Sequence, residues 1–301
     1  MVKFVAEVSS NHHRDLNRCL AFVDQAAEMG CSGVKFQLFK IRDLFAPEIL
    51  AKSEMHRQRE SWELPIHFLP HLAERCHSVE IQFICTPFYL KAVEELYTYV
   101  DLYKIASYEL LWKDLLITCA QTGKPVILST GMATLDEVKK AVDTLQESGC
   151  KDLTLLHCVS GYPAPGPDCN LSAIETLRSA FHLFPSPFGL KIGWSDHSVN
   201  PAVIYRAVHR WGASMVEFHL DLEGQGEEFR TGHCWLPEQI KPVIEAVQGG
   251  LEADGEGQKR PMPSEMAERE WRADPGDGLR PLVEMREGVL KEGPSVKNGS
   301  T

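Results

Sequence analysis

No run of this sequence approaches the roughly 18 to 20 apolar residues that span a bilayer. The N-terminus, MVKFVAEVSS, also lacks the charged-then-apolar pattern of a secretion signal. A soluble protein of the cytoplasm is therefore expected. The nine cysteines are odd in number and contain no CxxC pair. That pattern argues against both a disulfide framework and a structural zinc site, and the thiols are expected to be reduced and packed. Neither GxGxxG nor GxxxxGK[ST] occurs, so the glycine-rich cradles of nucleotide-binding folds are missing. Positive charge is scarce as well, with Lys+Arg 31 against Asp+Glu 42 and a formal net charge of −11. Nucleic acid and anionic membrane are excluded as partners on that balance. An anionic ligand must then be held by a few locally placed cations.

What the 301 residues do contain, at 44% hydrophobic content, is one rhythm repeated from end to end. Apolar, β-branched runs recur as KFVAEVS (3–9), GVKFQLF (33–39), IQFICTP (81–87), LYKIAS (102–107), PVILST (125–130), LTLLHC (153–158), KIGWSD (191–196) and MVEFHL (215–220). Segments of helical spacing lie between and after them, among them LNRCLAFVDQAAEMG, TLDEVKKAVDTLQESG and LPEQIKPVIEAV, and several close on glycine. Eight strand-then-helix units, each strand apolar on both faces, predict an α/β protein of the (β/α)8 TIM-barrel type over residues 1–250. A doubly wound open sheet is the alternative, but it calls for the glycine-rich turn that is missing. The connection at 40–64 is long enough for a lid or a small helical insert over a ligand. Residues 251–301 turn polar and Gly/Pro-rich and end in KEGPSVKNGST, which predicts a C-terminal extension without a separate domain.

In such a barrel, chemistry is expected where strands end and βα loops begin. The polar residues at those positions are Glu7, Lys35, Gln37, Thr86, Lys104, Ser107, Glu109, Ser129, Tyr162, Ser195, His197 and His219. A lysine inside a barrel carries a large desolvation cost, so Lys35 and Lys104 should each face a fixed anion or a carboxylate. A purely structural pair, such as Glu7 with Lys35, is the plainer reading of either lysine alone. His197 and His219 end neighbouring strands, so their imidazoles can converge on a divalent ion such as Mn²⁺, Zn²⁺, Co²⁺ or Fe²⁺. His12, His13 and His157 also sit near strand ends, and the remaining histidines read as structural or solvated.

The motifs AEVSSNHH, GVKFQLFK, CTPF, YKIASYEL, GKPVILSTGMATLDEV, LLHCVSGYPAP, GWSDHS and VEFHLDLEG resemble, in order, those of the N-acetylneuraminate (sialic acid) synthase family. The resemblance covers about residues 3–245. It implies condensation of phosphoenolpyruvate (PEP) with an N-acylated amino sugar of the N-acetylmannosamine type, with release of phosphate. It assigns Lys35, Thr86, Lys104, Ser107, Ser129, Ser160 and Ser195 to PEP, and Gln37, Glu109, Tyr162 and Glu228 to the sugar. His197 and His219 become ligands of a divalent metal, Mn²⁺ first, with Mg²⁺ or Co²⁺ as alternatives, and Glu7 handles protons. A homodimer is the implied assembly.

This sequence departs from the family pattern in places. NHNG becomes Asn11-His12-His13-Arg14, a usual Asn becomes Ser160, and PGPDH becomes QGEEFRTGH, with Glu228 nearest to the sugar-contacting aspartate. Many members add an antifreeze-like domain whose arginine reaches a partner's sugar site. This chain is expected to lack that domain and to substitute Arg230, Arg272 or Arg280. Two other classes fit the residues: a metal-dependent pyruvate aldolase, and a non-catalytic barrel used as a binding module.

Overall fold

The computed structural model describes residues 1–182 and 190–286. The final segment KEGPSVKNGST lies outside them. Eight parallel strands close into a barrel: β1 Lys3–Glu7, β2 Gly33–Leu38, β3 Gln82–Pro87, β4 Leu102–Ile105, β5 Val126–Ser129, β6 Leu153–Cys158, β7 Lys191–Asp196 and β8 Met215–Leu220. Each pairs with the next, and β1 pairs with β8 from Lys3↔Met215 to Glu7↔His219, which closes the cylinder. A two-residue strand, β9 (Cys234–Trp235), adds to the C-terminal end of β8 through His219↔Cys234. The expected (β/α)8 barrel is the fold, with helices joining successive strands.

The helices begin where their sequences allow. Asp15 caps Leu16–Glu28 by accepting from the Arg18 N–H, and Thr134 with Glu137 forms a reciprocal capping box ahead of Leu135–Glu147. Their apolar stripes cover the outside of the barrel, where Phe4, Phe36, Phe83, Tyr103, Trp194 and Phe218 are fully buried.

The barrel interior is built by the two-residue period of the strands. Val5, Ile84, Leu102, Ile127, Leu156 and Met215 form a separate apolar cluster that fills the lower part. Gly193 belongs to this layer because a Cβ there would stand 2.6 Å from Leu156 Cδ2 and 2.5 Å from the Met215 carbonyl oxygen. Two residues further along the same strands, the inward positions turn polar: Glu7, Thr86, Lys104, Ser129, Cys158, Ser195 and Glu217. An apolar floor beneath a polar layer is thus written into the alternation of each strand.

The long connection after β2 is a small helical insert of Ile41–Leu44, Pro47–Lys52, Glu54–Gln58 and a 3₁₀ turn, Arg59–Trp62. The chain divides into two compact units at Ala253 and Asp254. Within the second, Arg286 pairs with Asp277, and Asp274 accepts from the Gly276 and Val283 N–H groups. All nine cysteines are buried and unpaired. Among the described residues, no helix is long and apolar enough to cross a membrane.

Candidate active site

The polar layer opens into a cavity of about 610 Å³ at the C-terminal ends of the strands. Lys35, Gln37, Lys104, Ser107, Glu109, Ser129, Tyr162, Ser195, His197, His219 and Glu228 all line it, so most of the residues expected from the sequence share one wall. Ile41, Leu44, Phe45, Arg59 and Trp62 of the helical insert line it too. Glu7, Thr86 and Ser160 do not reach the wall. Glu7 is fully buried beneath Lys35 and Gln37, both of which bond to its carboxylate.

At the centre of the floor stands an acid that the strand-end reading passed over, Glu217 of β8. Its Oε1 lies 3.4 Å from Lys104 Nζ and 3.8 Å from Lys35 Nζ, and it accepts from Ser195 Oγ at 3.2 Å. Lys35 pairs with Glu7 as well. The signal for Glu217 was its place two residues before His219, on the same inward face as the two lysines that need an acid. Burial opposes the Glu217 charge, yet the Lys104 and Lys35 ammoniums hold its pKa down at about 2. Lys35 is equally desolvated, but Glu217 and Glu7 outweigh that and carry its pKa above the ordinary value. For Lys104, burial wins over Glu217, and its pKa falls. Two ammoniums against two carboxylates leave this cluster neutral, so a polyanion bound here draws on further cations.

A hydroxyl-rich patch faces the lysines. Ser107 Oγ accepts from the Gly131 N–H at 3.0 Å and contacts Cys158 Sγ at 3.2 Å. Gly131 has to lack a side chain, since a Cβ would stand 2.4 Å from Ser160 Oγ. The buried hydroxyl oxygens of Thr86, Ser129 and Ser160 have no hydrogen-bond partner. Of the three, Ser129 lines the cavity, while Thr86 and Ser160 lie behind its wall. Glu109, on the turn that follows β4, has a buried, unpartnered Oε2, and desolvation raises its pKa to about 7.

Opposite this patch the imidazoles gather. His197 and His219 have ring centres 5.3 Å apart, and Tyr162 packs on His197 at 4.3 Å. A third imidazole, His233, stands 4.6 Å from His219 and 4.9 Å from Tyr162. The sequence placed His233 among structural histidines because it follows a loop with no periodic signal; the pairing of β9 with β8 brings it in. Glu228 ties the group together. It accepts from His219 Nδ1 at 2.9 Å and from Ser9 Oγ, which itself accepts from Gln37 Nε2 at 3.0 Å. Burial holds His197 at about 3, which keeps it neutral and fit to bind a metal. His219 is desolvated too, but the Glu228 hydrogen bond and charge carry it above its ordinary value.

His12 and His157 take no part. His12 is buried and accepts from the Arg14 N–H, and His157 packs on Trp194 and bonds to the Cys169 carbonyl. His13 is exposed. Of the expected arginines, Arg230 is exposed, and Arg272 bonds to the Arg269 carbonyl within the second unit. The arginine that lines the cavity, among the described residues, is Arg59. Its guanidinium lies 5.1 Å from the Trp62 ring and 5.8 Å from the Phe45 ring, and its buried Nε has no partner. Sequence spacing offered no pointer to Arg59, since it sits on an insert outside the barrel repeat.

A family model described as the NeuB family matches residues 22–259. The chain belongs to this family. An uncharacterized protein of Methanocaldococcus jannaschii is 37% identical over 262 residues, a span of 87% of this chain and 74% of that protein. An N,N'-diacetyllegionaminic acid synthase of Campylobacter jejuni is 33% identical over 276 residues, covering 87% and 80% of the two chains. Among solved structures, an N-acetylneuraminic acid (sialic acid) synthetase from Leptospira borgpetersenii, in complex with citrate, superposes with a TM-score of 0.77 at 31% identity. The superposition covers 89% of this NeuB-family chain and 90% of that one.

Proposed function

We propose that this NeuB-family chain is a PEP-condensing synthase that joins PEP to the open-chain carbonyl of an N-acylated amino sugar. The observation that carries this reading is the meeting, in one cavity, of two buried lysines and the hydroxyls of Ser107, Ser129 and Ser195, with Ser129 unpartnered, and a separate cluster of imidazoles. A pyruvate aldolase needs no phosphate-sized set of donors.

Lys35, Lys104, Ser107, Ser129 and Ser195 hold the phosphate and carboxylate of PEP, with Thr86 and Ser160 behind them. Gln37, Tyr162 and Glu228 orient the sugar. His197 and His219 would hold a divalent ion, Mn²⁺ first with Mg²⁺ or Co²⁺ as alternatives, whose Lewis acidity polarises the acceptor carbonyl. C3 of PEP bonds to the carbonyl carbon, water adds at C2, and the C2–O bond to phosphate breaks. Glu109 shares a turn with Ser107, beside the PEP donors, and takes the first proton of that water. The second leaves the C2 hydroxyl as the ketone forms. The water's two protons finish on the new sugar hydroxyl and on the released phosphate. Glu7, locked to Lys35 and Gln37, positions them.

Phosphate release from PEP with Mn²⁺ and a panel of N-acylated mannosamines and diacetamido sugars tests the reading in the native protein and in His197→Ala. Sugar-dependent release that the substitution abolishes supports it. Release with no sugar, or turnover of pyruvate in place of PEP, overturns it.

Arg59 reaches the cavity from the insert and faces the acceptor's outer end. Arg59→Ala is expected to raise the acceptor KM by about tenfold, the loss of one charge-assisted contact of roughly 1.5 kcal/mol. The KM for PEP should stay within about twofold, whereas Arg230→Ala should change neither. Initial-rate kinetics with each substrate varied in turn would check this.

A further inference from the structure

We infer that His233 is a third imidazole ligand of the metal held by His197 and His219. The inference rests on the metal reading above and extends it by a residue outside the strand-end motifs. The hydrogen-bond chain around His233 settles which nitrogen carries the proton. Thr231 Oγ1 donates its one proton to the Glu228 carbonyl at 2.6 Å, so toward His233 Nδ1, also at 2.6 Å, the oxygen can only accept. Nδ1 therefore bears a hydrogen, and in the neutral ring Nε2 is a bare lone pair. That Nε2 is buried, has no hydrogen-bond partner, and lies 3.5 Å from Glu228 Oε2, itself an acceptor. Two electron-rich atoms facing each other out of water call for a proton or a metal ion between or beside them.

The other two imidazoles are held in the same way. His197 Nδ1 donates to the Val159 carbonyl at 2.7 Å, and His219 Nδ1 to Glu228 Oε2 at 2.9 Å. All three rings thus turn Nε2 free, with Nδ1 tied by an outer partner, the arrangement that sets a histidine for metal binding. Imidazoles on adjacent positions of one ion, bound at about 2.1 Å, keep ring centres roughly 4.5–5.5 Å apart. His219 stands 5.3 Å from His197 and 4.6 Å from His233, with the outer pair at 6.3 Å, so His219 is the middle ring. Ligand atoms of His219, Glu228, His233 and Cys234 fall within 4.8 Å of one another; His197 stands outside that group, beside His219. The Cys234 sulfur is already engaged by Asn11 Nδ2. Glu228 is occupied orienting His219.

The test is pulsed electron paramagnetic resonance of the protein loaded with Mn²⁺ alone, which counts coordinated ¹⁴N nuclei without any turnover. Three histidine nitrogens are expected in the native protein and two in His233→Ala, with Mn²⁺ affinity down by about 100-fold or more. Thr231→Val, which frees the ring but leaves it in place, should keep three nitrogens and weaken binding by about tenfold or less. Two nitrogens in the native protein would overturn the role of His233 and leave the two-histidine centre standing. Failure of the native protein to bind Mn²⁺, Co²⁺ or Mg²⁺ would overturn the metal reading itself. Circular dichroism of each variant separates loss of the ligand from loss of the fold.

Discussion

Glu217→Ala should lower the midpoint of thermal unfolding by roughly 10 °C. Glu217 is the acid that Lys104 and Lys35 share, and it is almost fully buried. Removing one partner of a buried ion pair leaves the other charge without compensation, at a cost of about 3–5 kcal/mol. A chain of this size shifts its midpoint by about 2–4 °C per kcal/mol. Lys35 keeps Glu7, so the exposed debt falls on Lys104, whose pKa burial already lowers. Adding Lys104→Met to Glu217→Ala should therefore restore part of the lost stability. A double variant no more stable than the single one would mean that packing, not charge, is what Glu217 provides. The acid limb offers a second check. The folded pKa of Glu217, about 2, lies below its ordinary 4.5, so its stabilising contribution is present above about 4.5 and is lost as pH falls toward 2. Glu217→Gln should flatten the stability profile over that window.

Glu109→Gln should lower kcat/KM for PEP by about 10²–10⁴-fold, the usual range for a general acid or base. It should also remove one ionisation from the pH profile. Desolvation lifts the Glu109 carboxyl to about 7, and the form that accepts a proton from water is the carboxylate. Activity in the native protein should accordingly fall as pH drops below about 7, and the remaining activity of Glu109→Gln should lack that limb. A limb that persists in Glu109→Gln would assign the proton to another group. Glu→Gln keeps size and one acceptor, so the affinity for PEP serves as the control for misfolding.

Much of this molecule was legible in the sequence because strands and helices are period phenomena. All eight expected strands are present; LTLLHC, KIGWSD and MVEFHL have the expected bounds, and the others are trimmed by one or two residues. At the C-terminal ends the trimming has a physical cause: residues such as Ser9 and Ser107 lie past the last ladder bond, where the backbone turns into the βα loop. The lysine at the middle of GVKFQ and the one in LYKIAS also announced themselves, since an ammonium in an apolar run is too costly to be accidental.

Three residues escaped for three different reasons. Glu217 was legible in principle, by parity with His219, but stood in mid-strand rather than at a strand end. His233 and Arg59 were not legible, because nothing in a loop's local sequence says which wall it will meet. Arg59, on the insert after β2, lines the cavity.

The barrel, the apolar floor and the polar layer are written in the chain's own pattern, for they follow from side-chain alternation along each strand and need no knowledge of neighbours. Which charges meet is settled when the barrel closes. Closing β8 onto β1 carries Glu217 to the lysines and His219 to the barrel mouth, and the return of β9 along β8 sets His233 beside it. Pairing, desolvation and the resulting pKa values depend on separations of a few ångströms between residues far apart in the chain, and that information exists only once the chain has closed.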